Sequence, residues 1–170
     1  MSARHPVIGS VAGLISALTV ASILAPPDRR LVYNTTASAP LGVYWISKSP
    51  PAIGDLALVS PPPGVADWLA RRGYLPSNVP LIKRLAAVGG QHVCARANAI
   101  LIDGQPVAKV QDRDRQGRPL PVWRGCRRLL ADEVLLLNDA PFSLDGRYFG
   151  PLRRSVIRGR AHALWTWGPR

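Results

Sequence analysis

Proline and glycine punctuate this chain from end to end, with 17 prolines and 15 glycines in 170 residues. Each breaks or weakens a helix interior. These are many for a helix bundle and suit a strand-and-loop domain with many turns. Apolar residues make up 47% of the chain, enough to bury a real core, which argues against a wholly disordered basic tail. The length suits one domain of ordinary size.

One stretch escapes the punctuation by proline. Residues 7–25 (VIGSVAGLISALTVASILA) carry no charge. As a helix they would reach about 28 Å, close to the ~30 Å hydrocarbon core of a bilayer. Arg4 precedes the stretch and Pro26-Pro27-Asp28-Arg29-Arg30 ends it. Three readings fit: an uncleaved anchor, a removed signal peptide and a buried core helix. Ala25 supplies a small residue for a cut, but Pro26 directly after it hinders cleavage. The expectation is an anchor over residues 1–27 and a folded body over 28–170. Gly9 and Gly13 form a GxxxG pair, a weak signal in a segment so rich in small residues. Arg4 on one side and Arg29 and Arg30 on the other give no clear vote on orientation.

The 22 basic residues against 10 acidic ones leave a formal charge of +12. That balance fits nucleic acid and an anionic membrane surface equally well. Only Lys48, Lys83 and Lys109 are lysines, so nineteen of the basic residues are arginines. Cys94 and Cys126 belong to no CxxC pair and no Cys/His set. Paired, they would close a loop worth about 3–4 kcal/mol on the chain-entropy model. Two independent buried thiols are the bland alternative. A disulfide persists in an oxidising compartment. Together with an anchor it points to a single-pass protein of the bacterial inner membrane, its body facing the periplasm.

Along the body, Leu41–Ile46, Asp55–Ser60, Pro80–Val88, His92–Arg96, Ala99–Ile102, Val134–Leu137 and Ala161–Trp167 read as strands. Ile102-Asp103-Gly104 signals a hairpin turn. Ala66–Tyr74 is the one good helix, ending at Gly73. Asp28–Thr36 reads as a polar bridge, and 111–128 as a basic loop tethered by Cys126. The expected fold is mainly β: an antiparallel sheet domain with one N-terminal transmembrane helix and a short helix in the body.

Three segments could carry chemistry. In Asn34–Gly42, Pro40 and Gly42 fix a tight path that can hold the Ser38 hydroxyl beside a backbone N–H; a loop serine capping a turn is the plain alternative. Lys83 lies in the apolar run Leu81–Val88, where alternation sends one of Lys83 and Arg84 inward. An arginine keeps its charge, whereas a buried lysine can give up a proton and act as a base towards serine. A snorkelling edge lysine is its plain alternative. In Asn138–Gly150, Ser143, Asp145 and Arg147 alternate and would share one face of an extended chain. There Ser143 could meet a lysine amine and Asp145 could pair with Arg147; a surface ion pair is the alternative.

Taken in order, Thr36-Ala37-Ser38-Ala39-Pro40-Leu41-Gly42, Ile82-Lys83-Arg84-Leu85 with Val88-Gly89-Gly90, and Ser143-Leu144-Asp145-Gly146-Arg147-Tyr148-Phe149-Gly150 resemble the serine–lysine signal peptidases. The likeness is strongest to their plasmid conjugative-transfer (TraF-type) branch. Asp103-Gly104-Gln105-Pro106-Val107 resembles the hairpin that follows the lysine strand. The resemblance spans about residues 5–167. It implies a signal-peptidase-like fold, Ser38 as nucleophile and Lys83 as general base. It further implies that Ser143 orients the amine, that Asp145 and Arg147 fix the loop with Asp145 open to a more direct part, and that Thr36 and the Ser38 N–H form an oxyanion hole. The tight Ser38-Ala39-Pro40 spacing, and Gly146 where a serine is frequent, depart from general signal peptidases and favour the specialised branch.

The implied activity is a membrane-anchored endopeptidase with no metal or cofactor. It would process, and in some relatives cyclise, a pilin precursor cut beside small residues, with other conjugation or secretion components as further partners. Two other readings compete: a non-catalytic membrane-tethered scaffold of a secretion or conjugation apparatus, and a nucleic-acid-binding protein, which fits poorly with export. Among other constellations, a Ser38/His162/Asp145 triad has no local support.

Overall fold

The computed structural model describes residues 11–13, 16 and 30–168. Among the described residues, branched and aromatic side chains between proline or glycine breaks form eleven strands: β1 (Leu31–Asn34), β2 (Leu41–Ser47), β3 (Leu56–Val59), β4 (Leu81–Val88), β5 (His92–Arg96), β6 (Ala99–Ile102), β7 (Gln105–Lys109), β8 (Gly125–Arg128), β9 (Glu133–Leu137), β10 (Leu152–Arg153) and β11 (Ile157–Trp167). Within residues 30–168 two α-helices join them, α1 (Pro63–Arg71) and the single turn α2 (Gly146–Phe149).

The strands form two antiparallel sheets. The larger runs β1-β2-β11-β3-β4-β9-β10, and the smaller runs β7-β6-β5-β8. One apolar cluster joins them, combining Ala87, Leu135 and Leu137 of the large sheet with Val93, Ile100 and Ile102 of the small one. Asp103 and Gly104, both at positive φ, make the tight β6–β7 turn. Cys94 and Cys126 face each other across β5 and β8 and are joined by a disulfide. Gly42 has φ +133°, and a Cβ there would collide with the Trp165 carbonyl of β11. The close approach of β11 to β2 therefore requires glycine.

Several expectations are corrected. The expected transmembrane helix is one. Among the described residues no helix is long and apolar enough to cross a membrane; at ~1.5 Å per residue, α1 covers about 14 Å of the roughly 30 Å needed. The segment 7–25, apart from residues 11–13 and 16, lies outside the described residues. The single-pass inner-membrane location with a periplasmic body rested on that helix and is corrected with it. α1 begins at Pro63, three residues before the expected start, because proline at the first helical position gives up an N–H that has no partner there anyway. Part of the polar bridge is strand β1, paired with β2 from Leu31 opposite Trp45 to Asn34 opposite Gly42. The end of the basic loop is strand β8.

Candidate active site

Ser38 lies in the turn between β1 and β2, and the turn is built around Asn34. This buried side chain shares its two Nδ2 hydrogens among the carbonyls of Thr36 (3.0 Å), Ala39 (3.1 Å) and Pro40 (3.0 Å). Its Oδ1 accepts from the Thr36 backbone N–H (3.1 Å) and the Thr36 hydroxyl (2.9 Å). Tyr44, fully buried in β2, donates its hydroxyl to the Pro40 carbonyl at 2.7 Å. The Thr36 and Ser38 hydroxyls are 3.4 Å apart. The turn is thus fixed from inside, and half-buried Ser38 is left facing outward into a cavity.

Lys83 enters that cavity from β4. Strand alternation turns it inward, where it is 3% exposed. Its neighbour Arg84 turns outward to Asp139 (3.2 Å) and the Gly54 carbonyl (2.7 Å). Asn138, just past the end of β9, brackets the lysine: its Nδ2 donates to the Ile82 carbonyl (3.0 Å) and its Oδ1 accepts from the Arg84 N–H (2.9 Å). These two bonds carry the β4–β9 ladder one step beyond the strand. The Lys83 amine donates to Ser143 Oγ at 2.9 Å. Burial pushes the amine down from 10.5 to about 8; Asp145 pulls upward and Arg147 adds a smaller push down. A lysine held there is neutral in a usable fraction near physiological pH.

Ser143, Asp145 and Arg147 come together by a different route from the one the sequence suggested. The chain is not extended across them; Asp145 caps α2 and accepts from the Arg147 backbone N–H (3.2 Å). Its other oxygen accepts from the Asn138 N–H at 3.0 Å. The Arg147 guanidinium is buried and donates to the carbonyls of Ala140 (2.9 Å), Pro141 (3.2 Å) and Asn138. Its Nε lies 3.5 Å from Asp145 Oδ1, an ion-pair distance without hydrogen-bond geometry. Gly146 lets α2 lie against β9: a Cβ there would come within 2.7 Å of Leu135 Cδ1 and 2.8 Å of the Leu136 carbonyl. A serine at this position has no room, which accounts for the glycine.

The cavity has a volume of about 290 Å³, at the small end of the range for ligand clefts. Thr36, Ser38, Lys83 and Ser143 line it together, while Asp145 and Arg147 stand behind its wall. No hydrogen bond joins Ser38 and Lys83 directly among the described residues. His162 is bonded to Ser47 Oγ (3.0 Å) and does not line the cavity, so the Ser38/His162/Asp145 triad is not assembled. Sequence reasoning missed Asn34 and Asn138, and also the segment 114–118, which forms part of the wall.

A family description, signal peptidase, peptidase S26, matches residues 5–167. The chain belongs to the S26 signal peptidase family. Within that family it is similar to TraF-type conjugal-transfer proteins over most of its length. It is 34% identical to a plasmid transfer protein TraF of Escherichia coli over 168 residues, covering 92% of this chain and 93% of the relative. It is 39% identical to a probable conjugal transfer protein TraF of Sinorhizobium fredii over 147 residues, covering 80% and 77% respectively. Among solved structures, a signal peptidase I from Enterococcus faecalis aligns with 67% of this chain and 98% of its own, at 16% identity and a TM-score of 0.40. That structural likeness is too slight to argue from.

Proposed function

We propose that this S26 family member is a serine endopeptidase working by a Ser38–Lys83 dyad on a precursor protein for conjugative transfer. The observation that carries the reading is the buried Lys83 amine, lowered to about 8 and held by Ser143, in the cavity that also exposes Ser38. Neutral Lys83 takes the Ser38 proton as Oγ bonds to the peptide carbonyl carbon. The C–N bond then breaks, and the ammonium returns its proton to the leaving amine. Water, deprotonated by the same amine, cleaves the ester and restores the Ser38 hydroxyl. An amine of the substrate in place of water would give a cyclised or transferred product.

The Ser38 N–H supplies one oxyanion donor, and the Thr36 hydroxyl supplies the other by turning its single hydrogen from Asn34 Oδ1 to the oxyanion. Ser143 orients the amine, and Asp145 with Arg147 holds the Ser143 loop. The Ser38-to-Lys83 contact closes when substrate is bound, as catalytic hydrogen bonds are often long in free enzymes. The names of the TraF relatives support a conjugation substrate, and a pilin-like precursor cut beside small residues is the one proposed.

The test is processing of a co-expressed pilin precursor, read by mass spectrometry. Ser38→Ala, Lys83→Ala and Lys83→Arg should each lower processing at least about a thousandfold while circular dichroism shows a folded chain. With purified enzyme, kcat/KM should rise with pH through about 8, because the neutral amine is the active form, and not near the ordinary lysine value. Normal processing by Ser38→Ala would sink the dyad and favour a non-catalytic scaffold.

A further inference from the structure

We propose that Arg115 is a specificity residue that makes this enzyme prefer a substrate carrying a carboxylate near the scissile bond. The inference rests on the Ser38–Lys83 reading and adds a substrate class to it. It comes from a charge balance at the cavity wall. The acidic and basic side chains lining the cavity are Lys83, Asp114, Arg115 and Arg118. Asp114 is already saturated: it accepts from Arg118 Nε (2.7 Å), the Arg118 N–H (2.9 Å), the Gln116 N–H (2.8 Å) and the Tyr74 hydroxyl. Its charge is therefore spent on Arg118. Lys83 is buried and tied to Ser143. Arg115 is different. It is exposed and has no carboxylate partner among the described residues; its guanidinium lies 5.1 Å over the ring of Phe142, which lines the same cavity.

A guanidinium stacked on a ring uses its face and leaves its edge, where the N–H donors are, open. That edge fits a carboxylate with two parallel hydrogen bonds, and the stacking has already restricted the side chain. The rest of the wall is largely apolar, with Leu69, Leu75, Leu81, Leu120 and Leu144 beside Phe142. The carboxylate can belong to an aspartate or glutamate side chain or to a nearby chain terminus; both present the same chemistry.

The experiment uses the full chain and internally quenched alanine-rich peptides. One set carries a single glutamate stepped through the positions around the cut, with an amidated C-terminus. A second set carries glutamine instead, and a third carries glutamine with the free C-terminal carboxylate stepped towards the cut. In the wild type, kcat/KM for the best carboxylate peptide should exceed that of its neutral twin about tenfold. The ratio should fall to about one in Arg115→Gln, drop below one in Arg115→Glu, persist in part in Arg115→Lys, and shrink with added salt. A preference seen in the first set assigns a side-chain carboxylate, and in the third a chain terminus. Ser38-dependent cleavage that is blind to charge, or a ratio unchanged in Arg115→Gln, overturns this inference and leaves the dyad standing. A wild type that cleaves no peptide, like Ser38→Ala, overturns both.

Discussion

Two loops bring a serine to the same cavity, and they are held by opposite means. The Ser38 loop is organised by a neutral staple, the Asn34 amide, bonded to three carbonyls and to Thr36. The Ser143 loop is organised by a charged one, the buried Arg147 guanidinium gathering three carbonyls beside the Asp145 carboxylate. Ser38 ends half-buried at the cavity surface, whereas Ser143 is almost fully buried on the Lys83 amine. On the proposed mechanism the same residue type is thereby fitted to two tasks. A hydroxyl that must meet a substrate needs a rigid backbone and an open face. A hydroxyl that orients an amine needs enclosure, and enclosing a lysine in a low-dielectric site is what lowers its pKa. The charged staple also contributes to the field at Lys83, where Asp145 raises the amine's pKa and Arg147 lowers it.

The largest expected effect comes from breaking the charged staple. Arg147→Ala removes the donors to the carbonyls of Asn138, Ala140 and Pro141 and leaves Asp145 buried without its partner. Loss of one member of a buried pair costs about 3–5 kcal/mol. Urea unfolding followed by circular dichroism should show a loss in that range, together with loss of any activity. A loss below about 1 kcal/mol would mean that the Ser143 loop holds without its guanidinium.

Breaking the neutral staple should cost less. Asn34→Ala leaves the Thr36, Ala39 and Pro40 carbonyls without the amide, although the Pro40 carbonyl keeps Tyr44. Water can reach part of this turn, so about 2 kcal/mol is expected. Activity should fall by more than the stability loss explains, because the Ser38 and Thr36 hydroxyls lose their fixed relation. Asn34→Ala costing more than Arg147→Ala would reverse the comparison.

The difference between the two loops also explains how much of the site could be read from sequence. Lys83 stood out because a chain so rich in arginine keeps few lysines, and strand alternation forced a choice between Lys83 and Arg84. The structure turns the lysine inward. Most strands followed from apolar runs between breaks. β1 did not, because its four residues combine two exposed side chains with the buried Asn34. The association of Ser143, Asp145 and Arg147 was expected from alternation, but a capped helical turn produces it. Asn34 and Asn138 were missed because nearly all of their partners are backbone groups, which carry no residue-type signal. For Asn138 those groups lie on a strand far away in sequence. The wall segment at Arg115 was invisible for a related reason, since its place beside Ser38 and Lys83 depends on how distant loops pack.

The smallest expected change in stability sharpens the comparison most, because the same substitution can be made in both loops. Ser143→Ala removes one buried hydroxyl and should cost about 1 kcal/mol; Ser38→Ala, in the half-buried position, should cost less. Their kinetic outcomes should differ in kind. Ser38→Ala removes the proposed nucleophile, so no residual pH profile is left to measure. Ser143→Ala keeps the nucleophile and takes away the acceptor of the Lys83 amine. That acceptor favours the charged amine over the neutral one, so its loss should move the rising limb of kcat/KM to a pH below the wild-type midpoint near 8. The maximal rate should fall about ten- to a hundredfold, because a neutral but loosely aimed amine is a poorer base. A merely structural serine would lower the amount of folded enzyme without moving the limb. A profile that keeps its midpoint after Ser143→Ala would therefore assign Ser143 to packing and leave Lys83 oriented by the enclosure of β4 alone.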